Sequence, residues 1–275
     1  MVMGLGALAC TLLAAIPTRA GDDKQLQNMK GTVSYQVPSA PAKPLAPNAT
    51  IALSDKDYAI TGDGSEAAVT LADSSRVLVG STSKVQLAFF NQVQGNNAKF
   101  VLYNGKVRFI VQHPQGAVAN YTFQTATSEV AVRGTEGDIS ASGDTTQVNV
   151  YEVCNPSQPV VVTTKNGQHF SVVPGQSFVA QLVNGVIQTR VQALTQQMID
   201  QFSGDFGVPT SWDAAQGQVV GYVANQAGTA VNNATGGIGG GMVGDAVSQG
   251  LGGLFKKKST PTPSPTPASD TCKHS

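Results

Sequence analysis

Between Tyr58 and Val191, short runs of alternating apolar and polar residues return roughly every ten residues. Glu66 to Leu71, Arg76 to Val79, Lys84 to Phe90, Lys99 to Tyr103 and Lys106 to Val111 come first. Tyr121 to Thr125, Glu129 to Val132, Gln147 to Tyr151, Val160 to Thr164, His169 to Val173, Ser177 to Val183 and Val186 to Val191 follow. A period of two exposes one face of each run and buries the other, which is the signature of half-buried strands. Gly62-Asp63-Gly64, Asn104-Gly105, Asn166-Gly167, Pro174-Gly175 and Asn184-Gly185 separate the runs. Asn-Gly tolerates positive φ at both central residues, so each such pair reads as a hairpin turn. No stretch between the runs is helical, which excludes a parallel sheet with crossover helices. The expected fold is all-β: stacked short strands, β-solenoid-like or a twisted sandwich.

The flanks differ in kind. Gly31 to Val37 reads as a leader strand, and Pro38 to Pro47 is too proline-dense for a ladder and reads as an extended surface connection. Ala193, Leu194, Gln197, Met198, Ile199 and Phe202 fall on or beside one helical face, so Gln192 to Phe202 predicts a C-terminal helix that caps the sheet. From Ala214 to Gly244 no residue is charged, and glycines recur at four-residue steps. That pattern suits close helix–helix contact in membranes, yet its Gln and Asn residues are costly in hydrocarbon. A Gly/Ala-rich linker and a self-associating or membrane-seeking segment both remain open for this low-complexity tail. Lys256-Lys257-Lys258 follows beside Leu254 and Phe255, and Thr260 to Pro267 reads as a polyproline-type spacer.

The apolar run Gly4 to Pro17 closes on Thr18-Arg19-Ala20 and reads as an export leader with cutting after Ala20; a transmembrane anchor is the runner-up, but the run is short and broken by Pro17. Lipidation at Cys10 is the lesser reading, because more apolar sequence follows that cysteine. Low charge (12 %) with 30 glycines suits an extracytoplasmic β protein. Lys plus Arg equals Asp plus Glu, so no global field recruits nucleic acid. In the mature chain Cys154 and Cys272 could pair, since export permits a disulfide, or Cys154 could stay a buried thiol.

No catalytic, cofactor-binding or metal-binding residue is assigned, and no cofactor is expected. Gly239 to Gly244 spells G-x-G-x-x-G without the strand, helix and acid that the phosphate-binding mechanism needs. Asp55, Asp57 and Asp63 lack the third oxygen ligand and closing glutamate of a calcium loop, so a solvated turn is expected there. His113, His169 and His274 are scattered and read as packing residues. No G-x-S-x-G elbow occurs. A glycan hydrolase would need paired carboxylates beside exposed aromatics, and the single tryptophan, Trp212, lies beyond the strands.

Three blocks, in order, resemble the FecR domain family of bacterial extracytoplasmic proteins. They are Asp57 to Leu87, Leu102 to Phe109, and Phe123 to Glu136, the last carrying the Arg133-Gly134-Thr135 corner. The likeness runs from about Leu45 to Val153. Asp73-Ser74-Ser75 stands where the family has glycine at the middle of a turn, and Val153 to Pro156 departs from its usual glycine after Glu152. Physically, Gly134 would supply a backbone state that a β-carbon forbids. Arg133 would satisfy several carbonyls with its fork of donors, and Thr135 would bond a neighbouring backbone group. These are fold-holding roles.

Well-known members join a cytoplasmic anti-sigma segment and a membrane span to this domain, which receives a signal from a TonB-dependent receptor. No such segment is recognised here, so the resemblance implies the extracytoplasmic half alone. The expected organisation is a signal peptide (1–20), a leader strand and Pro-rich connection (21–57), and a FecR-like β-domain (58–191). A capping helix (192–212), a Gly/Ala-rich tail (213–258) and a Thr/Pro-rich spacer (259–275) complete it. The expected function is an exported, non-enzymatic binding or sensing module of the bacterial cell envelope, in periplasm or at the cell surface. Its partner would be an envelope protein or polymer, with the Gly-rich tail available for membrane contact or self-association. The alternative is a carbohydrate-active enzyme on a β-solenoid scaffold.

Overall fold

The computed structural model describes residues 23–92, 95–112, 119–155 and 157–206. The leader, Cys10, His113, Trp212, the Gly/Ala-rich tail, Lys256 to Lys258, the spacer, Cys272 and His274 lie outside the described residues.

The chain adds strands alternately to two facing sheets. It begins with β1 (Lys24–Lys30), β2 (Val33–Gln36), β3 (Lys43–Leu45), β4 (Thr50–Ala52) and β5 (Tyr58–Thr61). The hairpin β6 (Glu66–Leu71) and β7 (Arg76–Val79) leads through β8 (Lys84–Asn91) to the long β9 (Asn96–Ile110). Three further pairs follow: β10 (Ala119–Gln124) with β11 (Ser128–Val132), β12 (Thr135–Ser142) with β13 (Thr145–Val153), and β14 (Val160–Thr164) with β15 (His169–Val172). The hairpin β16 (Gln176–Val183) and β17 (Val186–Ala193) and a helix, α1 (Gln196–Ser203), end the described chain. Sheet A runs β4–β1–β6–β7–β9–β12–β13–β16–β17. Sheet B runs β3–β2–β5–β8–β9–β10–β11–β14–β15. Every pairing is antiparallel except β9 with β10.

The alternating runs explain this arrangement directly. Val77, Val79, Val107, Phe109, Ile139, Val148, Val150 and Phe178 of sheet A meet Val85, Leu87, Phe100, Leu102, Phe123, Val130 and Val162 of sheet B in one core. Phe123 stacks on Phe100 at 5.3 Å and tilts against Phe109 at 5.3 Å, so it touches rings from both halves of β9. Each such ring contributes roughly 2–3 kcal/mol through burial.

Three expectations are corrected. Asn104-Gly105 is not a hairpin turn: β9 continues through it, leaving sheet B and entering sheet A. Gly105 has φ +94°, and Ser83 packs where a β-carbon would stand. Asn104 Nδ2 donates to Thr82 O at 2.8 Å, and Lys106 N donates to Ser83 Oγ at 2.9 Å. Ser83 thus fills the place of a side chain at position 105 and ties β9 down at the crossing. Second, the proline-rich connection does supply a strand, because β3 pairs with β2 through Ser34 and Pro44. It lies at the sheet edge, where a missing N–H is tolerated. Third, the helix begins later than the periodicity implies, since Gln192 and Ala193 complete β17 against Ser177 and Gln176. Thr195 caps α1, accepting from Met198 N at 3.3 Å.

Candidate functional site

Outward-pointing residues of sheet A line up across six strands as Ala68, Leu78, Arg108, Asp138, Asn149 and Ser177. Each is at most 1 % exposed, because the chain from Leu194 to Phe206 lies over them. Leu194 and Ile199 pack on Tyr151, and Phe206 packs on Ala68 and Leu78. The Phe206 ring also covers the Arg108 guanidinium at 4.7 Å. Lys106 fastens the cover from its flank, with Nζ donating to Asp205 Oδ2 at 2.6 Å and to Gln201 O at 2.9 Å.

Beneath that cover Arg108 makes a two-pronged pair with Asp138, Nε to Oδ1 at 2.8 Å and Nη2 to Oδ2 at 3.1 Å. The Tyr151 hydroxyl donates to Asp138 Oδ2 as well. Burial pushes the Asp138 carboxyl up, against the pull of Arg108 and Tyr151. Burial alone would lower the Arg108 value, but the hydrogen bond and charge of Asp138 outweigh it and hold the guanidinium protonated. Burial also raises the Tyr151 phenol. Gln147 Nε2 donates to Asn149 Oδ1 at 3.0 Å and Ser177 Oγ at 3.3 Å, while Asn149 Nδ2 has no partner among the described residues. The row is sealed, so it holds the cover in place.

The outer face of sheet B is open by contrast. Gln36, Tyr58, Gln86, Val101, Gln124, Glu129, Thr163 and His169 stand in register across eight strands. At one end the Tyr58 and Tyr103 rings lie 5.9 Å apart, with Lys84 Nζ 4.8 Å and 5.9 Å from their centroids. Tyr103 is 48 % exposed and donates to Gln86 Oε1 at 3.2 Å. Partial burial and the neighbouring Tyr58 raise its phenol. Phe89, also exposed, pairs across the strands with Lys99. A shallow cavity of about 250 Å³ opens farther along, lined by Gln124, Ser128, Glu129, Thr163, Thr164 and Lys165.

The Arg133-Gly134-Thr135 corner borders this face. Gly134 has φ +59°, the state expected of it, and its carbonyl accepts from Cys154 N at 2.9 Å. Thr135 Oγ1 donates to Arg133 O at 3.3 Å. The Arg133 side chain is corrected: it is exposed, and its Nε donates to the Asn120 side chain at 3.0 Å instead of gathering carbonyls. Asn120 Nδ2 passes the chain of bonds on to Asn97 Oδ1 at 3.2 Å. The fold-holding arginine is Arg108, inside the second resembling block. Its alternation with Val107 and Phe109 signals only a strand position facing away from the core.

The remaining candidates are dispersed. Asp57 is buried, contrary to the solvated turn expected, and caps that turn by accepting from Ser54 N at 2.9 Å. Asp55 pairs with Lys24 at 2.7 Å, and Asp63 accepts from Ser81 Oγ at 3.4 Å. No group of His, Cys, Asp and Glu fit to hold a metal ion occurs among the described residues. His169 is exposed, with Nδ1 3.0 Å from Thr163 Oγ1, and is not a packing residue. Ser74 adopts φ +67°, the left-handed state for which the family uses glycine. Cys154 is disulfide-bonded. Among those residues no helix is long and apolar enough to cross a membrane.

Residues 57–152 match the family model described as FecR protein. Two crystal structures of a presumed anti-sigma factor from Parabacteroides distasonis ATCC 8503, at 1.65 and 2.50 Å resolution, are similar at 16 % and 17 % identity. Each likeness covers 53 % of this chain and 64 % or 63 % of the other, with TM-scores of 0.42 and 0.43. Those scores are too low to bear on function. No curated protein matches the chain. Residues 57–152, which hold the covered ion pair and the glycine corner, are the part of this chain that matches the FecR domain family.

Proposed function

We propose that the chain is an exported, non-enzymatic FecR-domain protein, a binding or sensing module of the bacterial cell envelope. It acts through contacts with an envelope protein or polymer. The observation that carries this reading is the difference between the two faces: sheet A is covered by the protein's own chain, and sheet B presents a broad open surface. Export is supported by the apolar leader and by the disulfide at Cys154, a bond that persists in oxidising compartments. The long edge of β17, with Val186 and Val191 exposed, offers strand addition as a second mode of contact.

A carbohydrate-cleaving enzyme is the weaker alternative. It needs two carboxylates converging on a groove. On the open face Glu129 is the carboxylate at hand, and it is paired with Lys99 at 3.2 Å.

The test is co-sedimentation of the purified full-length chain with cell-envelope and cytosolic fractions of its host. Retention on the envelope fraction alone is expected. Equal partition between the two fractions, with and without residues 207–275, would overturn the assignment.

A further inference from the structure

We propose that the open face of sheet B binds an acidic polysaccharide, a sugar chain bearing carboxylates; this deepens the function proposed above and rests on it. The face combines three chemistries that such a polymer requires together.

The first is charge. Lys84, Lys99, Arg133 and Lys165 border or occupy the face, against Glu129. The whole chain is neutral, so this excess is local. Among the described residues, Arg133 is engaged through Nε alone, at Asn120. That leaves the two terminal nitrogens of an exposed guanidinium, the geometry that grips a carboxylate two-pronged. The second is an aromatic platform. Exposed Tyr103, backed by the half-buried Tyr58, presents ring surface for the apolar face of a sugar, beside the Lys84 ammonium. The third is a supply of amides. Asn97 and Asn120 link Arg133 back to β9, where their donors and acceptors suit hydroxyl groups.

These groups are spread for a polymer. Tyr103 and Asn97 stand six residues apart on β9, about 20 Å at strand rise, and Arg133 lies two strand spacings (about 10 Å) to the side. A single small acid would span a fraction of that diagonal. Nucleic acid fits less well, since its dense phosphates call for a basic surface and here Glu129 sits midway.

The probes are polygalacturonate, its methyl-esterified form with the same backbone and no charge, and inorganic polyphosphate. Binding to the full-length chain is read by titration calorimetry at low and at physiological salt. The expected result is binding to polygalacturonate, tenfold or more weaker to the ester, and no stronger to polyphosphate. Arg133→Gln and Tyr103→Ala should each weaken it about fivefold or more, with unchanged Tm. Arg190→Gln, on exposed β17 of the other sheet, should leave it alone. Equal binding of the ester, tighter binding of polyphosphate, or equal effects from all three variants would each overturn the proposal. Failure of every probe while retention on the envelope fraction persists would refute this ligand class and leave the broader reading standing.

Discussion

The two outer faces of the molecule have opposite chemistries. On sheet A the outward row contains the ion pair of Arg108 and Asp138, whose side chains are both fully buried. On sheet B the outward rows contain mostly amides, hydroxyls and tyrosines, and they face water. The comparison teaches that outward-pointing polarity does not predict exposure. A charged row that mates with an amphipathic segment of its own chain becomes a second interior, in which removing one partner strands the other. A row whose groups are only loosely engaged with each other stays available to something else.

The largest test of this contrast is Asp138→Ala. Leaving Arg108 buried without its carboxylate should cost about 3–5 kcal/mol in urea unfolding. The paired change Arg108→Met with Asp138→Leu should recover most of that loss. A single-variant cost below about 1 kcal/mol would mean that water reaches the pair and that the faces are less different than described. Phe206→Ala strips the ring from Arg108, Ala68 and Leu78 and should cost about 3 kcal/mol. Faster hydrogen exchange should then appear in β7 and β9 and not in β10 or β11.

High pH acts on that second interior through Tyr151 and on the main core through Tyr121. Burial raises the phenols of Tyr121 and Tyr151. A folded value above the unfolded one means that their contribution is complete below about pH 10 and is lost as pH rises beyond it. The loss should approach about 1.4 kcal/mol per tyrosine per pH unit. Absorbance at 295 nm should show these two phenols ionising only together with unfolding. Gly134→Val comes next, at about 1–2 kcal/mol or somewhat more, from forcing a β-branched residue into φ +59°. Unchanged Tm in that variant would remove the corner from the fold-holding features. The smallest effect belongs to the open face. Glu129→Gln breaks an exposed pair with Lys99 and should change stability by at most about 0.5 kcal/mol, vanishing in high salt.

Much of the fold was legible in the residues, because a period of two states which side chains point inward. From Glu66 to Val191 the runs correspond to strands, and Asn166-Gly167 and Asn184-Gly185 sit in hairpins. Asn104-Gly105 misled because its turn chemistry is local, whereas the crossing of β9 is set by Ser83, distant in sequence. β1 escaped notice since only Leu26 and Asn28 of its seven residues are buried, too few to show a period. The covered row was hidden for a related reason. Arg108 between Val107 and Phe109 looks like a solvent-facing strand residue, and only the placement of Phe206 makes it interior. The signal lay elsewhere, in the apolar side of the helix, which needs a surface to rest on. The open face gave no contiguous motif at all, since Tyr58, Lys84, Tyr103 and Arg133 meet only through strand register.

One strand serving two sheets has a mechanical consequence. β9 is hydrogen-bonded in sheet B through Asn97 to Asn104 and in sheet A through Gly105 to Ile110. Neither layer can slip over the other without tearing a continuous backbone ladder, so the two halves of the sandwich behave as one rigid plate under shear. Denaturant should melt both at a single midpoint, and a pull on either layer will be felt by its neighbour.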